Sequence, residues 1–117
     1  MDGPSPEDLE IVRGLIGRLA DRLGPALLRA ALFGSRARGR AWPGSDYDVF
    51  LVVEREDPPT RAAIYDVAYD LSPLDFNFHI YTPGRLEAAM RLDSPVPRAV
   101  DLEGVCLWPT PASKRTG

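Results

Sequence analysis

Two aspartates separated by one residue, Asp46 and Asp48, have the type and spacing best suited to chemistry in this chain. They stand at the start of an apolar segment that predicts a strand from Tyr47 to Val53. Because side chains alternate between the faces of a strand, both carboxylates are expected on the same side. Carboxylates so close repel each other unless a cation lies between them, and Mg²⁺ prefers such oxygen ligands together with water and substrate phosphates. Taken alone, the tetrapeptide is more typical of a turn, so the metal site needs support from elsewhere in the chain.

That support comes from Gly34 and Ser35, which directly follow an apolar run predicting a strand from Leu27 to Phe33. Residues 36–40 can start a helix, so backbone N–H groups and the serine hydroxyl would meet at a helix N-terminus. Such a terminus binds anions, phosphates above all. An ordinary strand-to-helix turn with serine as N-cap explains each residue separately, but not the carboxylates that follow so closely. We therefore predict a phosphate site at Gly34 and Ser35, which we call the glycine turn.

A third carboxylate, Asp75, lies in a segment from Leu74 to Tyr81 that alternates apolar and polar residues. The apolar side predicts the core face of a strand, and the other side then carries Asp75 with Asn77 and His79. We interpret His79 as a half-exposed strand residue rather than an acid-base group, because a lone histidine needs a partner for that chemistry.

Arginines crowd the predicted phosphate site. Arg36 and Arg40 are four residues apart and are expected on one face of the short helix, with Arg38 turned elsewhere. A guanidinium group matches phosphate geometry, so one of them could clamp a triphosphate, and exposure to solvent or to a partner is an equal alternative. For Trp42, in the following loop, packing against the first helix is favoured over stacking on a base.

These features together resemble a known family. The sequence G-S-R-A-R-G beginning at Gly34, the S-D-x-D motif beginning at Ser45 and the later Asp75 are similar to the signature of minimal nucleotidyltransferases of the DNA polymerase beta superfamily. The resemblance extends from about Leu9 to Trp108. Other phosphate motifs do not match, because no Lys-Ser or Lys-Thr follows Gly39 as in a P-loop and no G-x-G-x-x-G occurs.

The resemblance implies a magnesium-dependent enzyme with two metal ions, which transfers a nucleoside monophosphate, AMP for preference, from a nucleoside triphosphate such as ATP to a hydroxyl group. It further implies the antitoxin role in a toxin-antitoxin module, with a HEPN-type protein as partner and a tyrosine of that partner as acceptor. The implied catalytic and metal-binding residues are Asp46, Asp48 and Asp75, and the implied nucleotide-binding residues are Gly34, Ser35, Arg36 and Ser45.

Two alternatives stay open at this point. A binding protein with the same fold would act by occluding its partner without catalysis, and an enzyme of another kind would transfer the nucleotide to a small molecule. A chain of 117 residues has little room for its own acceptor domain, so a partner that supplies the acceptor is favoured. The nucleobase and a homo-oligomeric state are left open.

Composition narrows the class further. The chain has 17 acidic and 14 basic residues, spread along its length, so a broad nucleic-acid footprint is not expected. A single cysteine excludes an internal disulfide, and a single histidine argues against a zinc cluster. The acidic N-terminus lacks the apolar core of a signal peptide and no apolar run suits a membrane span, so we expect a cytoplasmic protein.

The remaining elements follow from periodicity and capping. Residues 1–108 are predicted to form one domain, with a disordered tail at 109–117. The fold class is α/β (α+β), a small mixed sheet with helices mainly on one side and the aspartates on the other. Phe50 and Val52 would then lie exposed on the open side, where a partner could dock.

We predict helices from Ser5 to Gly24, Thr60 to Leu71 and Pro83 to about Leu92, a loop from Ser94 to Pro97, a helical turn from Arg98 to Glu103, and a closing strand from Val105 to Trp108.

Overall fold

A computed structural model describes residues 3–42 and 44–109 of the chain. Within these residues, helices and strands alternate for most of the length, as expected for an α/β protein. The elements in chain order are α1 (Pro6–Leu23), a 3₁₀ turn (Gly24–Ala26), β1 (Leu27–Phe33), α2 (Ser35–Arg38), β2 (Tyr47–Val53), α3 (Pro58–Asp70), β3 (Phe76–Tyr81), α4 (Pro83–Arg91), α5 (Pro95–Glu103) and β4 (Val105–Trp108).

The strands form one mixed sheet in the order β3-β2-β1-β4. β1 is antiparallel to both β2 and β4, whereas β2 and β3 are parallel. The register pairs Phe33 with Asp48, and Asp48 with Asn77. The turn after β1, the start of β2 and the start of β3 therefore meet at one edge of the sheet, as the sequence predicts for its phosphate and metal sites.

Helices cover both faces of this sheet, and the expectation of one open face is wrong. α1 and α3 pack on the face that carries Val49 and Leu51. On the opposite face, Phe50 and Val52 pack with Val100 of α5, and they are 0% and 4% exposed. The apolar groups on α4 and α5 need burial as much as those of the strand, so helix and strand cover each other. The α/β class with a small mixed sheet is confirmed.

Two local predictions need correction. α5 begins at Pro95 instead of after the expected loop, because prolines in the first turn of a helix lack only N–H groups that would have no helical partner. α2 is only four residues long and ends at Arg38, followed by the C-cap Gly39, whose φ of 72° is left-handed. Arg40 therefore lies beyond the helix, and the expected common face of Arg36 and Arg40 does not exist.

Other predictions agree closely with the structure. β1, β2 and β4 have the predicted bounds, and α1 begins after Ser5, whose hydroxyl accepts a hydrogen bond from the Asp8 N–H at 3.0 Å. None of the helices that the structure describes combines the length and apolar character needed to cross a membrane. The predicted disordered tail falls, apart from its first residue, outside the described residues.

Candidate active site

Asp48 lies at the centre of the predicted site, between the glycine turn and β3. Its Oδ1 accepts a hydrogen bond from Asn77 Nδ2 at 3.1 Å, and His79 Nε2 lies 3.6 Å from the same oxygen. On the other side, a Cβ placed on Gly34 would overlap the carboxylate of Asp48. Gly34 also has a φ of +81°, which disfavours any side chain. The glycine thus allows the acid and the turn to approach closely, as the sequence predicts for a phosphate site beside a metal site.

Asp46 and Asp75 flank this centre. Both side chains are exposed, and each precedes the first residue of its strand, β2 or β3. The parallel register pairs Tyr47 with Phe76, and the Tyr47 N–H donates to the Asp75 carbonyl at 2.9 Å. The two acids therefore occupy equivalent places on adjacent strands.

Asp46, Asp48 and Asp75 carry carboxylate oxygens, the kind of ligand that Mg²⁺ prefers. Among the described residues, no group of three or more Asp, Glu, His or Cys side chains converges to hold a metal. Mg²⁺ does not require such a group, because it is usually held by one or two carboxylates and completed by water and substrate phosphates. Asp46 and Asp48 at the start of β2 fit that mode, with the glycine turn beside them for the phosphates.

The carboxylate of Glu103 lies on the glycine turn. The Gly34 N–H donates to Glu103 Oε2 at 3.0 Å, and Arg38 Nη1 donates to the same oxygen at 2.8 Å. A carboxylate oxygen thus occupies donors that suit a phosphate oxygen. Sequence reasoning missed Glu103, because it comes from α5, far along the chain, and no local pattern links the two. Gly34, not Ser35, is the N-cap of α2, and Ser35 is the first helical residue.

Arg36 points to a different part of the structure from Arg38. Its Nη1 lies 3.1 Å from Asp8 Oδ1, and its Nε and Nη2 donate to the Ser45 carbonyl at 3.2 and 2.8 Å. Its guanidinium also lies over the Tyr47 ring, 4.3 Å from the centroid. The role of Arg36 as a nucleotide ligand stays a prediction. Sequence reasoning missed this contact of Asp8, because Asp8 and Arg36 are 28 positions apart along the chain.

Tyr47 completes this buried contact. Its hydroxyl donates to Asp8 Oδ1 at 3.0 Å, and its ring packs in the main core. Burial raises the pKa of Tyr47 above its ordinary value of 10.0, and the hydrogen bond to Asp8 and the negative charge of Asp8 raise it further, against an opposing effect of Arg36. The Tyr47 phenol is therefore held protonated as a hydrogen-bond donor.

The other singled-out residues have simpler surroundings. The Ser45 hydroxyl accepts from the Trp42 N–H at 3.1 Å and closes the loop before Asp46, so its predicted contact with a nucleotide stays a prediction. Trp42 is 70% exposed, contrary to the expected packing on α1. The His79 side chain is 27% exposed, and its ring meets the Phe33 ring edge to face at 5.0 Å. Within the described residues, its Nε2 is buried without a hydrogen-bond partner.

The family is decided by comparison with known proteins. Residues 12–101 match the family model described as a nucleotidyltransferase domain, and this range includes the glycine turn and all three predicted acids. The chain belongs to the nucleotidyltransferase domain family. It is accordingly a transferase, as its motifs predict, and the resemblance to nucleotidyltransferases stated from the sequence is confirmed.

Solved structures with the same fold include toxin-antitoxin complexes and a nucleotidyltransferase. A toxin-antitoxin complex with AMP-PNP superposes with a TM-score of 0.61 at 22% identity, covering 86% of this chain and 76% of the other. A tri-AMPylated HEPN toxin in complex with an MNT antitoxin, from Shewanella oneidensis, gives 0.53 at 20% identity, covering 90% and 76%. A nucleotidyltransferase from Sulfolobus solfataricus gives 0.54 at 19% identity, covering 86% and 78%. No curated protein matches the sequence.

Proposed function

We propose that this nucleotidyltransferase transfers AMP from ATP to a hydroxyl group of a HEPN-type partner protein in a Mg²⁺-dependent reaction. The observation that carries the proposal is the direct approach of the Asp48 carboxylate to Gly34. It puts a carboxylate of β2, a group that suits Mg²⁺, against a turn whose N–H donates to the carboxylate of Glu103, and this arrangement supports binding of a metal-bound triphosphate.

The chain's own residues have separable roles in this reaction. The Gly34 N–H and the Ser35 hydroxyl would orient the phosphates at the glycine turn, and Asp46 and Asp48 would hold Mg²⁺. When bound, Mg²⁺ supplies neutralisation of the negative charge on the phosphates and on the leaving pyrophosphate. Asp75 accepts the proton of the acceptor hydroxyl. The hydroxyl oxygen then forms a bond to the α-phosphorus as the bond to pyrophosphate breaks.

Two features support a protein acceptor. The described residues pack on both faces of one sheet to form its core, so none of them builds a separate acceptor domain. In addition, one structure of the same fold is an antitoxin in complex with an AMPylated HEPN toxin. We propose that the acceptor here is a tyrosine of such a partner.

A second candidate is occlusion of a partner without transfer. It is favoured by exposed apolar side chains near one another on α4, α5 and their connection, since exposed apolar groups often mark an interface. Met90, Leu92 and Leu102 are 55%, 80% and 79% exposed. Met90 and Leu102 line a groove of about 290 Å³.

Co-expression with the product of the adjacent gene separates the two candidates. Intact-mass measurement of that product is expected to show one or more added AMP units with the wild-type chain and none with Asp48→Asn. Asp70→Asn, which alters an exposed ion pair with Arg18 on the opposite face, is the matched control and should leave the transfer intact. A stable complex with no added mass for any variant would favour occlusion. If there is neither added mass nor a stable complex, the search moves to small-molecule acceptors.

A further inference from the structure

A buried polar network lies behind the predicted metal site. It consists of Asp8 of α1, Arg36 of α2 and Tyr47 of β2, joined by the hydrogen bonds and the ring contact described above. Asp8 is 8% exposed as a residue, and the side chains of Asp8 and Arg36 are 12% and 14% exposed. Charged groups so deeply placed hold a fixed geometry, because each loses its water and depends on its partners.

This network is attached to the site residues through the backbone. Arg36 holds the Ser45 carbonyl with both Nε and Nη2, and Ser45 directly precedes Asp46. Tyr47 directly follows Asp46, and its N–H donates to the Asp75 carbonyl. The residues on both sides of Asp46 are therefore fixed from behind, while the Asp46 side chain itself is exposed.

We propose that Arg36 is a positioning residue for Asp46, held in place by Asp8 and Tyr47, rather than a ligand of the nucleotide. The proposal rests on the proposed function, since it assigns Asp46 a place in transfer. The geometry explains why an arginine is needed. A guanidinium is planar and presents donors in several directions at once, so it reaches a carbonyl and a carboxylate together, whereas a lysine ammonium is a single point of charge.

The kinetics of nucleotide transfer distinguish a positioning residue from a ligand. Arg36→Gln is expected to lower kcat by on the order of 10- to 100-fold with the KM for ATP changed by no more than about twofold, because misplaced catalytic groups reduce the rate without removing a phosphate contact. Arg36→Lys should not restore kcat. Tyr47→Phe removes only the hydroxyl that holds Asp8, and it should lower kcat several-fold with the same unchanged KM.

A second readout does not require activity. Amide hydrogen exchange in the nucleotide-free protein should become faster at residues 44–47 in Arg36→Gln and, to a smaller extent, in Tyr47→Phe. Arg18→Gln, which alters an exposed ion pair on α1, is the matched control and should change neither exchange nor kinetics. If Arg36→Gln does not fold, Tyr47→Phe carries both measurements.

The results that overturn the proposal are specific. A KM for ATP raised more than tenfold in Arg36→Gln with kcat retained would make Arg36 a nucleotide ligand. Unchanged exchange at residues 44–47 in Arg36→Gln would show that the network does not hold the loop. If the wild-type chain transfers no nucleotide while exchange responds as expected, the positioning role of Arg36 in the loop stands and the proposed function fails.

Discussion

Two arginines of one short helix, Arg36 and Arg38, lie two residues apart and contact different parts of the molecule. Arg36 is joined to Asp8 in a pair whose side chains are 14% and 12% exposed, on the α1 side of the molecule. Arg38 is joined to Glu103 in a pair whose side chains are 44% and 24% exposed, on the α5 side. Both are arginine-carboxylate pairs, yet they differ in access to water and in what else they touch.

The difference indicates that the two pairs around the glycine turn have separate roles, one in structure and one at the predicted phosphate site. The buried pair is tied to backbone and core, so breaking it costs stability, and it acts as a fixed frame. The more exposed pair lies on donors that a nucleotide would use, and surface pairs contribute little stability, so its carboxylate can be exchanged for a phosphate at small cost. The four predictions below test this contrast, beginning with the residue that lies between the two regions.

Gly34→Ala should have the largest effect on activity. The new Cβ would overlap the Asp48 carboxylate, and the φ of +81° is strained for alanine. Displacing Asp48 by about an ångström is expected to lower kcat for AMP transfer by roughly 100-fold. Steady-state kinetics beside a thermal melt provide the check, and Gly14→Ala, at a helical position with open space around its Cβ, is the control. Normal turnover in Gly34→Ala would contradict the close approach as the basis of the site.

Asp8→Asn should have the largest effect on stability. It removes the charge that Arg36 needs in a buried place, and breaking a buried pair in this way costs roughly 3 kcal/mol of unfolding free energy. Urea denaturation measures this change. Asp70→Asn, in an exposed pair with side chains 47% and 54% accessible, should cost less than about 1 kcal/mol. Equal losses for the two variants would remove the contrast between buried frame and exposed surface.

Alkaline pH should affect the buried side through Tyr47. Its pKa is raised in the folded state, mainly by burial, so above pH 10.0 the unfolded chain loses the phenol proton before the folded chain does. The contribution of the Tyr47 hydroxyl to the unfolding free energy is fully present below pH 10.0 and is lost as the pH rises through the pKa of Tyr47 in the folded state. The unfolding free energy of wild type should thus fall more steeply above about pH 10 than that of Tyr47→Phe. Parallel slopes in denaturant titrations at several pH values would contradict this.

Glu103→Gln should have the smallest effect, and in the opposite direction. In the proposed reaction Glu103 would compete with a phosphate for the Gly34 N–H and Arg38, so removing its charge should tighten ATP binding about fivefold, equivalent to roughly 1 kcal/mol. Calorimetry with ATP and Mg²⁺ measures the change. Glu87→Gln, in an exposed pair within α4, is the matched control. Weaker binding in Glu103→Gln would instead make Glu103 a support of the glycine turn.

The sequence by itself determined the elements and the order of the motifs. The apolar runs that end at Phe33 and Val53 are strands with the predicted bounds, because burial on both faces leaves continuous apolar segments that turns interrupt. The alternation from Leu74 to Tyr81 correctly separates a core face from a polar face, since the period of a strand is independent of its partners. The motifs that begin at Gly34 and Ser45 are likewise defined by residues close together in the sequence, so the family resemblance is visible without the structure.

Only the tertiary structure decided the contacts between distant segments. The sequence could not show that α5 and β2 cover each other, because the apolar groups of Val52 and Val100 are 48 positions apart and many pairings satisfy the same pattern. It could not assign Arg36 to Asp8 or Arg38 to Glu103, since the direction of a four-residue helix depends on where its ends are anchored. Long-range charge pairing depends on geometry in three dimensions, and the chain alone specifies only which charges are available.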